Sequence, residues 1–324
     1  MKKTAIAVAI LSAVVSGSSL AATVYSKDGT ELKVGGRVEF RGDFIGDEKG
    51  KEIDGTMADK TRARLNLAGT TDIGENLQAF AFYEAEQSTG ASTFTNRYMY
   101  GGVKSNFGAF SVGKQNSAAV VISDFTDITN FSGVQQVIDA AKDKRDSTFA
   151  YRGDFDALKL QATYTASSDE SKDLMGISAV YALPMGLNLG VAYSTGENGK
   201  DEGDQSQILA GLGYKADNLY LAATYSTGDY DDKAKKEFTA YELVAQYNIT
   251  KPLSLAVLYT FKENDTNGAT TDVTDGIELM ANYRFNSNFR TYVSYYLNQL
   301  DEVKTDGKTT AGEDTLRLGL RYDF

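Results

Sequence analysis

The sequence predicts an all-β protein, a 16-stranded antiparallel transmembrane β-barrel with short turns at one end and long loops at the other. Sixteen segments alternate apolar residues with polar or small ones at a period of two, the pattern of strands with two different faces. The connections between these segments alternate between short and long, which is typical of an up-and-down meander. The chain also ends in "TLRLGLRYDF" on the apolar Phe324, where a free terminus would normally fray.

The alternating segments are rich in Val, Ile, Leu, Tyr, Phe and Thr, which strands prefer. In chain order they cover residues 31–44, 61–73, 76–87, 96–106, 109–117, 147–155, 158–166, 174–183, 186–196, 206–216, 218–228, 238–249, 253–264, 276–286, 289–300 and 315–324. Segments of about ten residues, when tilted, match an apolar band roughly 25 Å high. We therefore expect each segment to cross a membrane once.

Closure of the sheet explains the apolar end of the chain. An unpaired backbone group in lipid costs several kcal/mol, so the segment ending at Phe324 has to pair with the first segment, 31–44. A ring of sixteen strands is too wide for side chains to fill and leaves a water-filled lumen. The polar face then lines the lumen and the apolar face contacts lipid.

The amino-terminal residues 1–21 have the features of a secretory signal peptide. Lys2 and Lys3 precede an apolar run from Ala5 to Val15, and small residues follow. The run is too short for a transmembrane helix, which needs about 20 residues. We expect a mature chain of one domain, residues 22–324, that crosses an inner membrane and is not held there by a helix.

The composition argues against an enzyme and against a nucleic-acid partner. The chain has no Cys and no His, so it lacks the usual general base, thiolate ligands and imidazole ligands. We expect no catalytic residues, no metal site and no cofactor. Without Lys2 and Lys3, 31 basic residues face 44 acidic ones, a net charge of −13 that disfavours nucleic acid.

Several motifs resemble the general diffusion porins of Gram-negative outer membranes, and the OmpU-like branch in particular. They are "TVYSKDGTELKVGGRVEF", "TRARLNLAGT", "FAFYEAE", "NRYMYGGV", "DFTDI" and the terminal "GLRYDF". The resemblance covers the whole mature chain. It implies a homotrimer that passes ions and small hydrophilic solutes passively and lies in the outer membrane among lipopolysaccharide and other lipids. It also implies that the short turns face the periplasm and the long loops face the outside of the cell. It also implies that Phe324 closes the barrel and is read by the outer-membrane assembly machinery.

Subunit contact in such a trimer would involve the first strands and the last one. Four small residues at positions interpreted as outward-facing would let barrels approach closely in lipid: Ala63, Ala79, Ala81 and Gly102.

One connection differs from the short acidic loops. Residues 118–145 are long, and the first half is largely apolar. Loops of this length without regular structure are uncommon unless functional. A surface loop with a short helix around 134–142 is one interpretation. The other, which the family resemblance favours, is a third loop folded into the lumen, so that Asp124 and Asp127 line a constriction.

Opposite that loop, the family carries a ladder of inward basic residues. Strand parity predicts its members here to be Arg37, Arg62, Arg64, Arg97 and Lys144. The parity argument takes these residues as lipid-facing: Val38, Phe40, Leu65, Leu67, Tyr98, Tyr100, Phe149 and Tyr151. The enteric family has an acidic residue at the loop tip where this chain has Asn130, which leaves open which carboxylates face the ladder.

The predicted function is a water-filled channel with modest preference for cations, because the waist carries both signs and the outer loops are acidic. A channel selective for sugars or oligosaccharides is an alternative, although the inward aromatics derived from parity are scattered. An adhesin or receptor role of the loops is a third possibility that could coexist with a pore.

Overall fold

The computed structural model describes residues 21–305 and 307–324, so the predicted signal peptide lies outside the described residues except for residue 21. The strands are β1 (Ala22–Lys27), β2 (Thr30–Ile45), β3 (Ala58–Asp59), β4 (Arg62–Gly74), β5 (Leu77–Ser88), β6 (Thr95–Ser105), β7 (Gly108–Gln115), β8 (Arg145–Phe155), β9 (Leu158–Thr165), β10 (Leu174–Leu183), β11 (Leu187–Glu197), β12 (Asp204–Ala216), β13 (Leu219–Asp231), β14 (Lys236–Asn248), β15 (Leu253–Thr266), β16 (Ala269–Arg284), β17 (Phe289–Asn298), β18 (Val303–Thr305), β19 (Lys308–Ala311) and β20 (Thr315–Asp323). Within the described residues, helical structure is limited to α1 (Val120–Ser123) and two 3₁₀ turns, Asp139–Ala141 and Pro184–Gly186.

Sixteen of these strands form a closed antiparallel barrel, which confirms the predicted fold class. They are β2, β4 to β17 and β20, each hydrogen-bonded to its neighbours along the chain, with β20 returning to β2. The short strands β1 and β3 also pair with β2. Every predicted segment corresponds to a barrel strand, and the largest displacement is at β16, which begins at Ala269 rather than at residue 276.

The edge of β2 that closes the ring is completed by three pieces of chain. Strand β20 pairs with residues 37–45 of β2, and β1 pairs with residues 30–34. Between them, Gly36 and Phe324 exchange backbone hydrogen bonds of 2.9 and 3.0 Å. No loose tail therefore remains at the carboxyl end of the chain.

The barrel is apolar outside and polar inside, the reverse of a soluble protein. Large apolar residues are exposed at every second position, for example Val38 at 52% and Leu65 at 40%. Contiguous apolar surface of this extent requires lipid or another protein to cover it. No helix among the described residues is long and apolar enough to cross a membrane.

At the end of the barrel that carries the long loops, the first and the last of these loops are hydrogen-bonded to each other. The amide of Glu52 donates to the carbonyl of Thr309 (3.0 Å), and the amide of Glu313 donates to the carbonyl of Gly50 (2.9 Å). Residues 301–314, which lie between the last two predicted segments, contain the hairpin β18–β19. These contacts hold the seam between β2 and β20 together at its loop end.

Substitution Gly36→Ala should destabilise the barrel by about 1–3 kcal/mol, because the added methyl has no space. A Cβ at residue 36 would lie 2.7 Å from the Phe324 ring and still closer to the Arg64 carbonyl. Gly69→Ala, on the neighbouring strand, is the control, since nothing lies within 4 Å of its Cβ position. Urea unfolding in detergent measures both variants, and equal effects would contradict this account of the seam.

Candidate functional site

The connection between β7 and β8, residues 116–144, lies inside the barrel and is called the inner loop here. It contains α1 and the 3₁₀ turn Asp139–Ala141, and the remainder is irregular. Residues 134–142, considered above for a short surface helix, form only that 3₁₀ turn. The apolar character of its first half has a direct cause, since this half packs on the barrel wall.

Small inward residues of β11 and β12 provide the space for the inner loop. Ile122 is fully buried and packs in a cluster with Leu209 and Phe238. A Cβ at Gly190 or Gly211 would come within 2.5 or 2.7 Å of the Ile122 side chain. A side chain at either position would push Ile122 away from this wall, so glycine lets the loop approach it closely.

Two buried glutamates, on strands β14 and β16 of the barrel wall, hold the tip of the inner loop. Glu278 of β16 accepts hydrogen bonds from the amides of Asn130 (3.0 Å) and Phe131 (2.9 Å). Glu242 of β14 accepts from the amides of Gly133 (2.7 Å) and Val134 (3.0 Å). Both carboxylates are fully buried, and bonds to a charged acceptor are roughly twice as strong as neutral ones. The loop tip is consequently fixed to the wall.

A second set of contacts ties the same tip to the closing strands. Arg317 of β20 is fully buried and forms a bidentate ion pair with Asp43 of β2. Its Nε and Nη2 atoms donate to the two carboxylate oxygens at 2.6 and 2.8 Å. Its guanidinium also donates to the carbonyl of Asn130 (3.2 Å) and lies over the Phe131 ring, 4.3 Å from the centroid. Phe131 in turn stacks on Tyr296 with ring centroids 4.9 Å apart. The loop therefore crosses the lumen.

The wall facing the loop carries arginines that are paired with glutamates of the same wall. Arg62 donates to Glu39 (2.7 Å), and Arg97 donates to Glu84 (2.7 Å). Arg64 is bonded to Glu86. Three cations thus face three anions, so this part of the wall is close to neutral.

All seven residues predicted to form the constriction line one cavity of about 1200 Å³ between the loop and this wall. They are Arg37, Arg62, Arg64, Arg97, Lys144, Asp124 and Asp127. Lys144 is paired with the adjacent Asp143. The Asp124 and Asp127 side chains are exposed to the lumen. The cavity therefore brings together the residues that the sequence singled out.

The reasoning that placed Arg97 was wrong even though Arg97 lies in the lumen. Tyr98 and Tyr100, expected to face lipid, lie inside and pack with Phe82, whereas Met99 faces out with 49% exposure. The register between β5 and β6 shifts at this point, because Glu84 pairs with Tyr98 and the next residue of β5 pairs with Asn96. Arg97 is the extra residue of a β-bulge, and a bulge redirects side chains. Gly102 also faces inward, and Gly101 takes the outward position opposite Ala81.

Sequence reasoning missed the glutamates of this wall. The parity that turns Arg37 inward also turns Glu39 inward, and Glu84 and Glu86 share one face of β5. A search for acidic as well as basic inward residues would have found them. It would also have found three arginines near the short turns, Arg284, Arg290 and Arg321, which line the same cavity.

The surroundings of Asp124 favour its protonated form. Burial within the barrel raises the pKa of the Asp124 carboxyl above its ordinary value, and the like charges of Asp127 and Asp143 raise it further. The carboxyl itself is exposed to the lumen, and contact with water limits the shift. The Asp124 carboxyl therefore loses its proton at a higher pH than the carboxyl of an isolated aspartate.

These features define a class of protein. A closed barrel with an apolar exterior, a polar lumen and a charged loop across the lumen is a membrane channel. The sequence matches the Gram-negative porin family over residues 5–303, and the chain belongs to that family. It is thus an outer-membrane protein that allows passive diffusion and is not an enzyme.

Individual relatives agree with this assignment. Outer membrane protein U of Vibrio parahaemolyticus is 33% identical, with all of both chains covered. Porin-like protein L of Photobacterium profundum is 32% identical over the same full coverage. Among solved structures, Salmonella typhi OmpF in complex with daunomycin superposes with a TM-score of 0.79 at 22% identity, covering 93% of this chain and 99% of that one. That similarity shows the fold alone.

Substitution Glu278→Ala should loosen the tip of the inner loop, because the amides of Asn130 and Phe131 lose their acceptor. We expect larger fluctuations of single-channel current and faster entry of sugars at the upper size limit in liposome swelling. Glu237→Ala removes one exposed carboxylate at the end of β14 and serves as the control. Unchanged current noise and swelling in Glu278→Ala would show that this glutamate does not hold the loop.

Proposed function

We propose that this porin is a homotrimeric channel with a modest preference for cations, open to ions and small hydrophilic solutes. The observation that carries the proposal is the balance of charge at the constriction, where the inner loop faces the wall. Arg62, Arg64 and Arg97 are offset there by Glu39, Glu86 and Glu84. On the loop side, no basic side chain of the described residues forms an ion pair with Asp124 or Asp127. Acidic outer loops and a net charge of −11 act in the same direction.

The physical mechanism is electrostatic and steric. Arginines on one side and carboxylates on the other set a transverse field in a narrow ring with low-dielectric walls. Small polar solutes can orient their dipoles in this field and pass, whereas apolar solutes must displace ordered water and pass poorly. Neither step needs a bond to form or a proton to move.

Sugar selectivity is not favoured by the aromatic residues of the lumen. Phe80, Phe82, Tyr98 and Tyr100 do form one inward cluster. However, Phe82 and Tyr100 are only 6% and 9% exposed, because the rings cover one another. A sugar slide requires a row of accessible ring faces, and this cluster offers few. Binding of host ligands by the long loops would be compatible with the channel.

Partners follow from the family. We propose a homotrimer with lipopolysaccharide around it, assembled by machinery that reads Phe324. Support for the trimer comes from small outward residues on β4, β5 and β6, namely Ala63, Ala79, Ala81 and Gly101, the last replacing the predicted Gly102. Vibrio cholerae OmpT has been solved in a trimer form, and it superposes with a TM-score of 0.74 at 17% identity over 92% of this chain and 100% of that one.

Neutralising the loop acids together, Asp124→Asn with Asp127→Asn, should lower the cation preference. Neutralising Arg62 and Arg64 to Gln should raise it, because Glu39 and Glu86 then lose their partners. Reversal potentials in a KCl gradient measure both. Asp169→Asn with Glu170→Gln, in an exposed outer loop, removes the same charge away from the cavity. A larger effect of this control pair would place the selectivity at the mouth and contradict the proposal.

Cation preference should rise between about pH 5 and pH 8. The raised pKa of Asp124 means that this carboxyl gains its negative charge at a higher pH than an ordinary aspartate, whose pKa is about 3.9. Reversal potentials at several pH values test this, and Asp124→Asn should flatten the profile. An identical profile in this variant would assign the pH dependence to another group.

A trimer should close in three equal conductance steps when a large voltage is applied across a planar bilayer. Each step reports one barrel, since the lumen described here lies within a single chain. Cross-linking in native outer membranes provides the independent count. Single closing steps, together with the absence of cross-linked dimers and trimers, would refute the homotrimer.

A further inference from the structure

A row of arginines lies near the short-turn end of the barrel, and Arg37 belongs both to this row and to the predicted ladder. Arg284 of β16 pairs in register with Arg290 of β17, and Arg290 pairs with Arg321 of β20. On the adjacent strand β2, Arg37 is the cross-strand partner of Asp323. Directly opposite residues have Cβ atoms about 5 Å apart, so the guanidinium groups share a small volume. Arg37, Arg284, Arg290 and Arg321 are called the arginine row here.

The side chains of the row point into the lumen. On the strands that carry Arg284, Arg290 and Arg321, the residues Tyr283, Val293 and Tyr322 face lipid with 41%, 40% and 48% exposure. Side chains alternate along a strand, so the three arginines face inward. All four arginines line the cavity, together with Lys251 of the turn between β14 and β15. Solutes that have passed the inner loop therefore meet this row before they leave at the short-turn side.

The positive charge of the row is largely uncompensated. Within the described parts of the chain, Arg37, Arg284 and Arg290 form no ion pair with a carboxylate, and Arg321 is paired only with Asp323. The Nε atoms of Arg37 and Arg290 are buried and have no hydrogen-bond partner in the protein. Glu39, which also lies near the row, is already bonded to Arg62 and to the Tyr292 hydroxyl.

This arrangement costs stability, because like charges directly opposite each other in a sheet repel and buried donors without partners are unfavourable. Arg62, Arg64 and Arg97 show how such a charge can be neutralised within the wall, since each of them is paired with a glutamate. Guanidinium groups bind carboxylate and phosphate oxygens through two parallel hydrogen bonds, which a monovalent halide cannot match. An oxyanion with two or more charges would satisfy both the charge and the free donors.

We propose that the arginine row is a binding site for compact multivalent oxyanions, of the phosphate or polycarboxylate class, on the periplasmic side of the constriction. The proposal rests on the proposed channel function, since the site opens into the lumen. Such an anion enters from the short-turn side without passing Asp124 and Asp127. Bound there, it occupies part of the lumen and reduces the current, and it does so more readily from the periplasmic side.

Single-channel recording in about 0.1 M KCl, where the Debye length is about 10 Å, tests the site. Citrate is added to one chamber at a time, with gluconate, a monovalent anion of similar size, as the reference solute. Orientation is fixed by Ser168→Cys, an exposed loop position, biotinylated and then bound by streptavidin; the chain has no other cysteine. We expect citrate to produce current blockades at lower concentration from the short-turn side, and gluconate to produce none.

Variants separate the site from general electrostatics. Arg284→Gln with Arg290→Gln should weaken the block by about tenfold or more, because two charges of the site are lost. Lys159→Gln with Lys215→Gln removes the same charge at the same end of the barrel but outside the row, and should leave the block nearly unchanged. Inorganic phosphate in place of citrate distinguishes the two ligand classes.

Normal conductance without any citrate block would overturn the site while leaving the channel function intact. Equal block from both sides that persists in Arg284→Gln with Arg290→Gln would assign anion binding to the constriction and also overturn it. Absence of conductance in the unmodified protein would instead contradict the proposed channel function.

Discussion

The pairing of backbone hydrogen bonds in lipid is the constraint on which the rest of this structure depends. A sheet that crosses hydrocarbon can leave no strand edge open, so β20, Phe324 and β1 together complete the edge of β2. Closing sixteen strands in this way leaves a lumen too wide to be filled by the side chains of the wall. The polar interior, the apolar exterior and the need for a separate narrowing element all follow from that closure.

The inner loop narrows the lumen, and two unlike walls hold it in place. One wall presents small residues, such as Gly190 and Gly211, on which Ile122 packs. On β14 and β16, Glu242 and Glu278 accept hydrogen bonds from the amides of the loop tip. Apolar packing thus supports one half of the loop and charged acceptors the other half. A loop fixed at both places can present its carboxylates in a defined position, which a mobile loop could not do.

The alternation of side chains predicted most of the fold, because a strand in a membrane barrel must obey it along its whole length. It failed where the backbone departs from regular pairing, as at Arg97, whose bulge reverses the expected orientation of Tyr98. The glutamate partners of the arginines obey the same parity, so their inward direction can also be predicted from the sequence. The contacts of Glu278 and Arg317 with Asn130 join residues distant in sequence, and no local pattern indicates them.

The central claim is that the inner loop rests on β12 within the lumen, and a cysteine pair tests it most directly. The chain has no cysteine, and a Cβ at Gly211 would lie 2.7 Å from the Ile122 side chain. Ile122→Cys with Gly211→Cys should form a disulfide on mild oxidation of the folded protein, with single-channel conductance close to that of the reduced form. Ile122→Cys with Ala68→Cys, on the opposite wall, should not cross-link. Failure of the first pair to cross-link, or a large conductance change when it does, would show that the loop normally lies elsewhere.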